Sequence, residues 1–285
     1  MIILVAGSSG FVGKNIRRFF FDKKQPIHFI SRDECDLSDL NELSRICQEL
    51  KPDLLIHCAV SLTDTHNNLM MYLALERAAR YVGRIAMIGS GAEYSFQRYT
   101  PEMKESYYDI NYPPDNKDPY HISKHLIARL HQSSPVSNIY NFRVFGLYGP
   151  YEDYTRRLIS NNIYSYLTQS RMKISANHAF DYLYIDDLIS AIMVFAQSLT
   201  KPSSRVYNLC SGHADRFLDI LSEVIVALGG DPSTIDVDSP QPTNTIYSGS
   251  NLLFQQEFKY KIQQTSYASA TPLLVDWLES QVIKS

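Results

Sequence analysis

The chain opens with a short apolar run that leads directly into a glycine-rich turn, and this pairing constrains its fold most. Residues 2–6 are apolar without interruption, which is the pattern of a strand buried on both faces of a parallel sheet. Gly7, Gly10 and Gly13 follow, and residues 13–21 have a helical pattern. A buried strand that turns tightly into a helix predicts an α/β fold built around a parallel sheet.

The same alternation of strand and helix continues through the first half of the chain. Further strands are predicted at 26–31, 53–59, 85–90 and 139–145, and helices at 37–50, 69–82 and 120–132. Short connections between them imply right-handed βαβ units with helices on both faces of the sheet. The exception is residues 91–118, which are rich in Tyr, Pro and Asp, and a connection of that length is usually functional.

After about residue 150 the alternation loosens. Helices are predicted at 154–168, 185–198, 215–228 and 271–282, and short strands near 172–174, 205–210 and 235–238. Pro232, Pro240 and Pro242 indicate surface crossings. We therefore predict a Rossmann-type doubly wound parallel sheet at 1–150, with part of 175–215 returning to it, and a smaller C-terminal α/β lobe at 151–285.

Composition and charge exclude several classes of protein. The chain is 45% apolar and 20% charged, which excludes a disordered chain. A net charge of −3 gives no indication of a nucleic-acid or anionic-membrane partner. No apolar run approaches the roughly 18–20 residues that span a bilayer, and the N-terminal run is too short for a secretory signal. We expect a soluble cytoplasmic protein with no membrane partner.

The cysteines do not predict a metal site. Cys35, Cys47, Cys58 and Cys210 are scattered without CxxC spacing, whereas zinc sites need several ligands at short spacings. His57, next to Cys58, is interpreted as a packed residue at a strand end.

The glycine-rich turn predicts a dinucleotide site. Glycines at Gly7, Gly10 and Gly13 allow a tight turn, let the backbone approach a pyrophosphate, and place the anion at a helix N-terminus. The second strand ends in Ser31 and Arg32, which suit the 2′-phosphate of NADP(H) and favour it over NAD(H). The acids at positions 33 and 34 follow immediately and would favour NAD(H).

Tyr120 and Lys124 are the sharpest chemical feature. Four residues apart on a predicted helix, they lie on one face about one turn apart. An ammonium beside a phenol stabilises the phenolate and lowers the pKa of the tyrosine from about 10 toward neutrality. Such a pair can exchange a proton with a carbonyl or alcohol oxygen.

These features together resemble the extended short-chain dehydrogenase/reductases, and most closely the NAD-dependent epimerase/dehydratase family, whose substrates are mostly nucleotide-linked sugars. The resemblance implies that Asp36 and Leu37 lie beside the adenine and that Ala59 belongs to a cofactor motif after the third strand. It implies a catalytic Ser90, four residues before Tyr94. We expect cofactor contacts from Gly7, Gly10, Phe11, Val12, Gly13, Ser31, Arg32, Asp36, Leu37, Ala59, Tyr120 and Lys124.

Three further segments resemble the family's motifs, at 143–150, 180–187 and 206–212. Gly146 replaces an Asn that the family often uses near the substrate phosphates, and Phe180 replaces an Arg. Substrate contacts therefore cannot be transferred at these two positions. By resemblance, the first domain binds the cofactor, the C-terminal lobe holds the nucleotide sugar, and a homodimer could form through two helices of the sheet domain.

The resemblance also narrows the reaction. The family's 4,6-dehydratases carry two acids after the catalytic hydroxyl residue, where this chain has Gly91 and Ala92, and Glu93 comes one residue late. The members that epimerise before reduction use a Cys at the position of Ala92 and a His after the turn that ends at Pro150, and this chain has neither. The remaining reaction is reduction of a 4-keto nucleotide sugar by NADPH.

In this reaction Tyr120 would protonate the oxyanion, Lys124 would tune Tyr120 and contact the nicotinamide ribose, and Ser90 would orient the carbonyl. Two alternatives stay open: a nucleotide-sugar 4-epimerase with tightly held NAD, and a non-catalytic dinucleotide-binding regulatory protein.

Overall fold

A six-stranded parallel sheet forms the centre of the structure, a computed structural model that describes residues 1–23, 25–95, 99–109, 118–239 and 241–282. From one edge to the other the strands are β10 (Val206–Leu209), β5 (Ile139–Val144), β4 (Arg84–Ser90), β3 (Leu54–His57), β1 (Ile3–Ala6) and β2 (Ile27–Ile30). The Rossmann-type α/β class predicted from the sequence is confirmed.

Helices cover both faces of this sheet because alternate strand residues point in opposite directions. Ile3 and Val5 belong to a core on one face, and Leu4 and Ala6 to a separate core on the other. The helices on the first face are α1 (Phe11–Phe19) and α6 (Ile185–Gln197). Those on the second face are α2 (Glu42–Leu50), α3 (Thr65–Ala78) and α4 (Pro119–Ser133).

The rest of the chain forms small sheets and a group of helices. The two-stranded pairs are β6 (Gly146–Tyr148) with β9 (Tyr182–Tyr184), and β7 (Lys173–Ile174) with β12 (Asp236–Val237). A three-stranded sheet contains β11 (Asp215–Arg216), β8 (Asn177–Phe180) and β13 (Pro242–Tyr247). The helices are α5 (Leu158–Leu167), α7 (Phe217–Ala227), α8 (Leu252–Phe258) and α9 (Tyr267–Val282). Of these, α5, α7 and α9 pack against one another, and α8 packs on β10.

Several segments differ from the sequence-based expectation: β8, β9 and α8 were not predicted, and α3 lies at Thr65–Ala78 instead of 69–82. Pro242 was expected to lie in a surface crossing, but it begins β13, whose last residue Tyr247 pairs with Phe180 of β8. The described part of the long segment 91–118 contains the short 3₁₀ turns Gly91–Glu93 and Glu105–Tyr107, and Met103 pairs with Gly249. Residues 96–98 and 110–117 of this segment lie outside the described residues. In the described part of the chain, no helix has both the length and the apolar character to cross a bilayer.

Candidate active site

The glycine-rich turn lies against the carboxyl ends of β1 and β3. Gly7 has a φ of +91°, and a Cβ there would lie 2.6 Å from the backbone nitrogen of Ala59. A Cβ on Gly13 would lie 2.5 Å from the carbonyl oxygen of Gly7. At Gly10 the nearest atom would be 3.5 Å away, which is ordinary contact. Gly7 and Gly13 are therefore required for packing, while the turn is open at Gly10.

The first turn of α1 fits an anionic cofactor group. Gly10 is the N-cap and supplies no side-chain cap, and the first turn contains no acidic residue. The N–H groups of Phe11 and Val12 begin the helix, and their half-buried side chains pack on the core below. Uncapped N–H groups and the positive end of the helix dipole stabilise an anion at this place. The residues present thus fit the pyrophosphate of a dinucleotide.

The carboxylate of Glu34 lies at the end of β2, where the sequence predicts the 2′-phosphate of the cofactor. The backbone N–H and the hydroxyl of Ser31 donate to Oε2 of Glu34, at 2.8 and 2.9 Å. These bonds, and the charge of Arg17, lower the pKa of Glu34. Arg32 is exposed, and its charge contributes to the lowered pKa of Asp36, after the larger effect of hydrogen bonds from Ser38. The position predicted for a 2′-phosphate therefore lies among cations, but Glu34 occupies the donors of Ser31.

The other residues predicted at the adenine end have local partners. Asp36 accepts hydrogen bonds from the backbone N–H and the hydroxyl of Ser38, at 2.9 and 2.6 Å. The side chain of Leu37 is buried in the core that α2 and α3 cover. Ala59 is half-buried and lies against Gly7.

Tyr120 and Lys124 lie in the first two turns of α4. Lys124 is buried, and its Nζ donates to the carbonyl oxygen of Ile88 at 2.8 Å. The same Nζ is 5.7 Å from the centre of the Tyr120 ring. Because Ile88 is two residues before Ser90 on β4, this bond fixes the ammonium beside the strand that ends in the catalytic candidate. Tyr120 is half-buried.

Hydrogen bonds that the sequence analysis missed hold the start of α4 in place. Asn68 of α3 donates from Nδ2 to the Ser123 hydroxyl at 2.9 Å, and that hydroxyl donates to the carbonyl oxygen of Tyr120 at 2.8 Å. Asp118 caps the helix by accepting from the N–H of Tyr120 at 2.8 Å. A serine next to Lys124 was a visible signal, but nothing in the sequence links Asn68 to this turn.

Ser90 ends β4 and begins a 3₁₀ turn closed by two reciprocal hydrogen bonds. Its Oγ accepts from the N–H of Ala92 at 3.0 Å, and its own N–H donates to Oε1 of Glu93 at 3.1 Å. This capping box positions the hydroxyl of Ser90 through the backbone as well as through the side chain.

Glu93 is buried in an ion pair. Its Oε2 accepts from Nε of Arg143 at 2.6 Å and from Nδ2 of Asn141 at 2.9 Å. Arg143 also donates to the hydroxyl of Tyr94 at 2.9 Å. Burial raises the pKa of Tyr94 to about 12, although Arg143 acts in the opposite direction. Both carboxylate oxygens of Glu93 are thus hydrogen-bonded, one to Ser90 and the other to residues of β5.

The aromatic side chains of Tyr247 and Phe145 pack against Gly91, the residue after Ser90. The Tyr247 ring is 5.3 Å from that of Phe180 and 4.9 Å from that of Phe145, measured between ring centres. Phe180 also contacts Phe217 at 4.9 Å. At Gly146 a Cβ would lie 2.5 Å from the carbonyl oxygen of Asp181, so no side chain fits there. The two departures from the family pattern therefore lie in a closely packed, largely aromatic region.

His57, at the end of β3, is buried beside Lys124. Burial, followed by the charge of Lys124, lowers the pKa of His57 to about 4, so the ring is neutral at physiological pH. Its Nε2 has no hydrogen-bond partner among the described residues.

Sequence comparison identifies the family. Residues 3–210 match the NAD dependent epimerase/dehydratase family. The chain belongs to this family. Among curated relatives it is similar to the ADP-L-glycero-D-manno-heptose-6-epimerase of Brachyspira hyodysenteriae, with 25% identity over 260 residues, 77% of this chain and 79% of the relative. Members of the family are NAD(P)-dependent enzymes, which supports a nicotinamide dinucleotide as the cofactor of this chain.

Solved structures share the fold. The Thermotoga maritima UDP-glucose 4-epimerase with UDP-glucose is similar with a TM-score of 0.80 and 17% identity, covering 99% of this chain and 100% of that one. A GDP-L-fucose synthetase from Naegleria fowleri bound to NADP has a TM-score of 0.80 and 14% identity, covering 100% and 95%. One of these proteins is an epimerase and the other a synthetase, so the shared fold does not select a reaction.

Proposed function

We propose that this enzyme reduces the 4-keto group of a nucleotide-linked sugar with NADPH. The observation that carries the proposal is the bond from Lys124 Nζ to Ile88 at 2.8 Å. It places a buried ammonium beside the Tyr120 phenol and beside the strand that ends in Ser90. A bound nicotinamide would supply the hydride to C4 of the sugar.

The protein's own groups then manage the proton and the developing charge. The ammonium of Lys124, 5.7 Å from the centre of the Tyr120 ring, would stabilise the negative charge that develops on the phenol oxygen as its proton leaves. Tyr120 donates its proton to the oxygen of the reduced carbonyl. The hydroxyl of Ser90 donates a hydrogen bond to the same oxygen and orients it toward Tyr120.

The surroundings of Ser90 support simple hydride transfer over elimination. Gly91 and Ala92 carry no acid, and Glu93 is buried in its ion pair with Arg143. A carboxylate held at 2.6 Å by an arginine and used to cap a backbone N–H is a poor base for removing a carbon-bound proton.

One observation favours a second candidate, a nucleotide-sugar 4-epimerase that retains NAD. Glu34 is an acid at the end of β2, hydrogen-bonded to Ser31 at 2.8 Å, and an acid in this region suits the unphosphorylated ribose. The curated relative from Brachyspira is itself an epimerase. An epimerase would use the same Ser90, Tyr120 and Lys124.

We also propose the partner, the cellular location and the oligomeric state of the protein. The partner is a small nucleotide sugar, and the site of action is the cytoplasm. A homodimer would use α3 and α4, which pack together and expose Leu73 (39%) and Leu130 (41%). Apolar side chains this exposed on neighbouring helices suit a helix-to-helix interface.

The test compares two reactions in parallel. One follows oxidation of NADPH at its absorbance band with a 4-keto-6-deoxy nucleotide sugar, and the other follows C4 inversion of a 4-hydroxy nucleotide sugar with NAD. The proposal predicts the first reaction, with a fall of about 10²–10⁴ in turnover for Tyr120→Phe. A matched Tyr164→Phe change, on α5, should leave turnover unchanged. C4 inversion without net consumption of NADPH would select the epimerase instead.

A further inference from the structure

Tyr247 belongs to the C-terminal part of the chain, but its side chain lies beside the end of β4, the strand that ends in Ser90. It is the last residue of β13, and its carbonyl oxygen accepts from the N–H of Asp181 at 2.8 Å. Its hydroxyl lies directly against Gly91: a Cβ built on that glycine would collide with this oxygen. Gly91 is the residue after Ser90, so a phenol from a distant part of the chain ends beside the candidate serine.

Packing fixes the Tyr247 ring in this position. The ring contacts those of Phe145, Phe180 and Tyr99 at centre-to-centre distances of 4.9, 5.3 and 5.3 Å. Tyr99 in turn donates from its hydroxyl to the carbonyl oxygen of Gly91 at 3.0 Å. A ring held on three sides presents its hydroxyl in one direction, at little further cost in side-chain entropy.

The hydroxyl of Tyr247 is a donor rather than a base. Burial keeps its pKa well above the ordinary value for tyrosine. The phenol therefore remains protonated at neutral pH.

We propose that the Tyr247 hydroxyl donates a hydrogen bond to Ser90 Oγ and thereby directs the single proton of Ser90 at the substrate carbonyl. A serine hydroxyl has one proton and two lone pairs. One lone pair accepts from the N–H of Ala92 at 3.0 Å. With Tyr247 as the second donor, both lone pairs are used and the proton points into the site. Tyr247 is thus a positioning residue that acts through Ser90.

This inference rests on the proposed function in one respect: it takes a carbonyl oxygen as the group that Ser90 contacts. It explains why position 91 is glycine in this chain, since any side chain there would displace the phenol. The proposed hydrogen bond also connects the small sheet of β13 and β8 to β4, because Tyr247 is the last residue of β13.

The experiment is a double-mutant cycle between Tyr247→Phe and Ser90→Ala, measured in kcat for NADPH oxidation and in melting temperature. We expect Tyr247→Phe alone to lower kcat about three- to tenfold, the value of one neutral hydrogen bond, with KM for NADPH unchanged. In the Ser90→Ala background the same change should lower kcat no further. Melting-temperature losses should likewise be smaller in the double variant than the sum of the single losses.

Tyr164→Phe is the matched control, because this half-buried tyrosine packs on Tyr154 in the same lobe and away from Ser90. Unchanged kcat in Tyr247→Phe, or losses that add in both measurements, would overturn the inference. If the wild-type enzyme oxidises no NADPH, the proposed function fails, while the melting-temperature cycle still decides whether the two hydroxyls interact.

Discussion

Glu93 accepts the backbone N–H of Ser90 at 3.1 Å with one carboxylate oxygen and the Nε of Arg143 at 2.6 Å with the other. A single buried side chain therefore joins the end of β4 to β5 and fixes the position of the Ser90 backbone. The side chains of Glu93 and Arg143 are 1% and 3% exposed, so water solvates neither charge to a significant extent. The function of the pair is to position Ser90, and it leaves no free acid in the turn.

Removing one charge of this pair should be costly. Glu93→Gln leaves Arg143 buried without a counter-ion, which we expect to lower the free energy of unfolding by about 3 kcal/mol. The matched control is Glu49→Gln on α2, whose pair with Arg45 at 3.2 Å is exposed by 66% and 64%. That change should cost at most about 1 kcal/mol. Urea denaturation followed by circular dichroism measures both, and equal losses would contradict the cost expected for breaking a buried ion pair.

Arg32 should set the preference for the phosphorylated cofactor. Arg32→Asp replaces an exposed cation at the end of β2 by an anion, which should weaken NADPH binding about ten- to a hundredfold, the value of one charged hydrogen bond. Binding of NADH should change much less. Fluorescence titration of both cofactors tests this. Equal affinity of the wild-type protein for both, or a preference for NADH, would contradict the assignment.

Glu34 should compete with the 2′-phosphate. Because its carboxylate holds both donors of Ser31, at 2.8 and 2.9 Å, NADPH must displace it. Glu34→Gln should therefore tighten NADPH binding about three- to tenfold. Asp33→Asn, at the exposed neighbouring position, is the matched control and should have a smaller effect. Should Glu34→Gln instead weaken NADH binding and leave NADPH unchanged, Glu34 holds the ribose hydroxyls of NAD.

Glu152 should make stability depend on pH. Burial raises its pKa from 4.5 to about 7, and its Oε1 has no hydrogen-bond partner among the described residues. A raised carboxyl pKa means that the folded state favours the protonated form. Its contribution is therefore present below about pH 4.5 and is lost as the pH rises through 7, by about 3 kcal/mol at most.

Glu152→Gln should remove this dependence. The variant should be more stable than the wild type at pH 8 and similar to it at pH 4.5, in denaturant titrations at both values. Glu279→Gln, at an exposed position on α9, should follow the wild type at each pH. A wild type that matches Glu152→Gln at pH 8 would show that the carboxyl is ionised there without cost.

Most of the sheet was predictable because its strands are buried on both faces. Residues 2–6 and 53–59 are largely apolar and contain β1 and β3, and residues 139–145 contain β5, in which the polar Asn141 and Arg143 alternate with apolar residues. The start of α4 was predictable within a residue, since Asp118 and Pro119 form a typical helix N-terminus. Gly7 and Gly13 were predictable because only glycine fits the backbone there.

The features that the sequence analysis missed depend on contacts between distant parts of the chain. β13 begins with a proline and has exposed side chains at Asn244 and Thr245, so its pattern resembles a loop. It becomes a strand by pairing with β8, which lies more than sixty residues earlier. The pair between Glu93 and Arg143 spans fifty residues. No pattern in the sequence around these residues predicts either contact.

The most direct test of the central claim follows where each hydrogen of the product comes from. The enzyme is run in deuterated water with a 4-keto-6-deoxy nucleotide sugar and NADPH, and the product is analysed by NMR and mass spectrometry against a no-enzyme control. Reduction without an acid or base beside C3 and C5 predicts one NADPH consumed per product, C4 hydrogen from the nicotinamide, and no enzyme-dependent deuterium on carbon. Deuterium at C3 or C5 above the control would contradict the account.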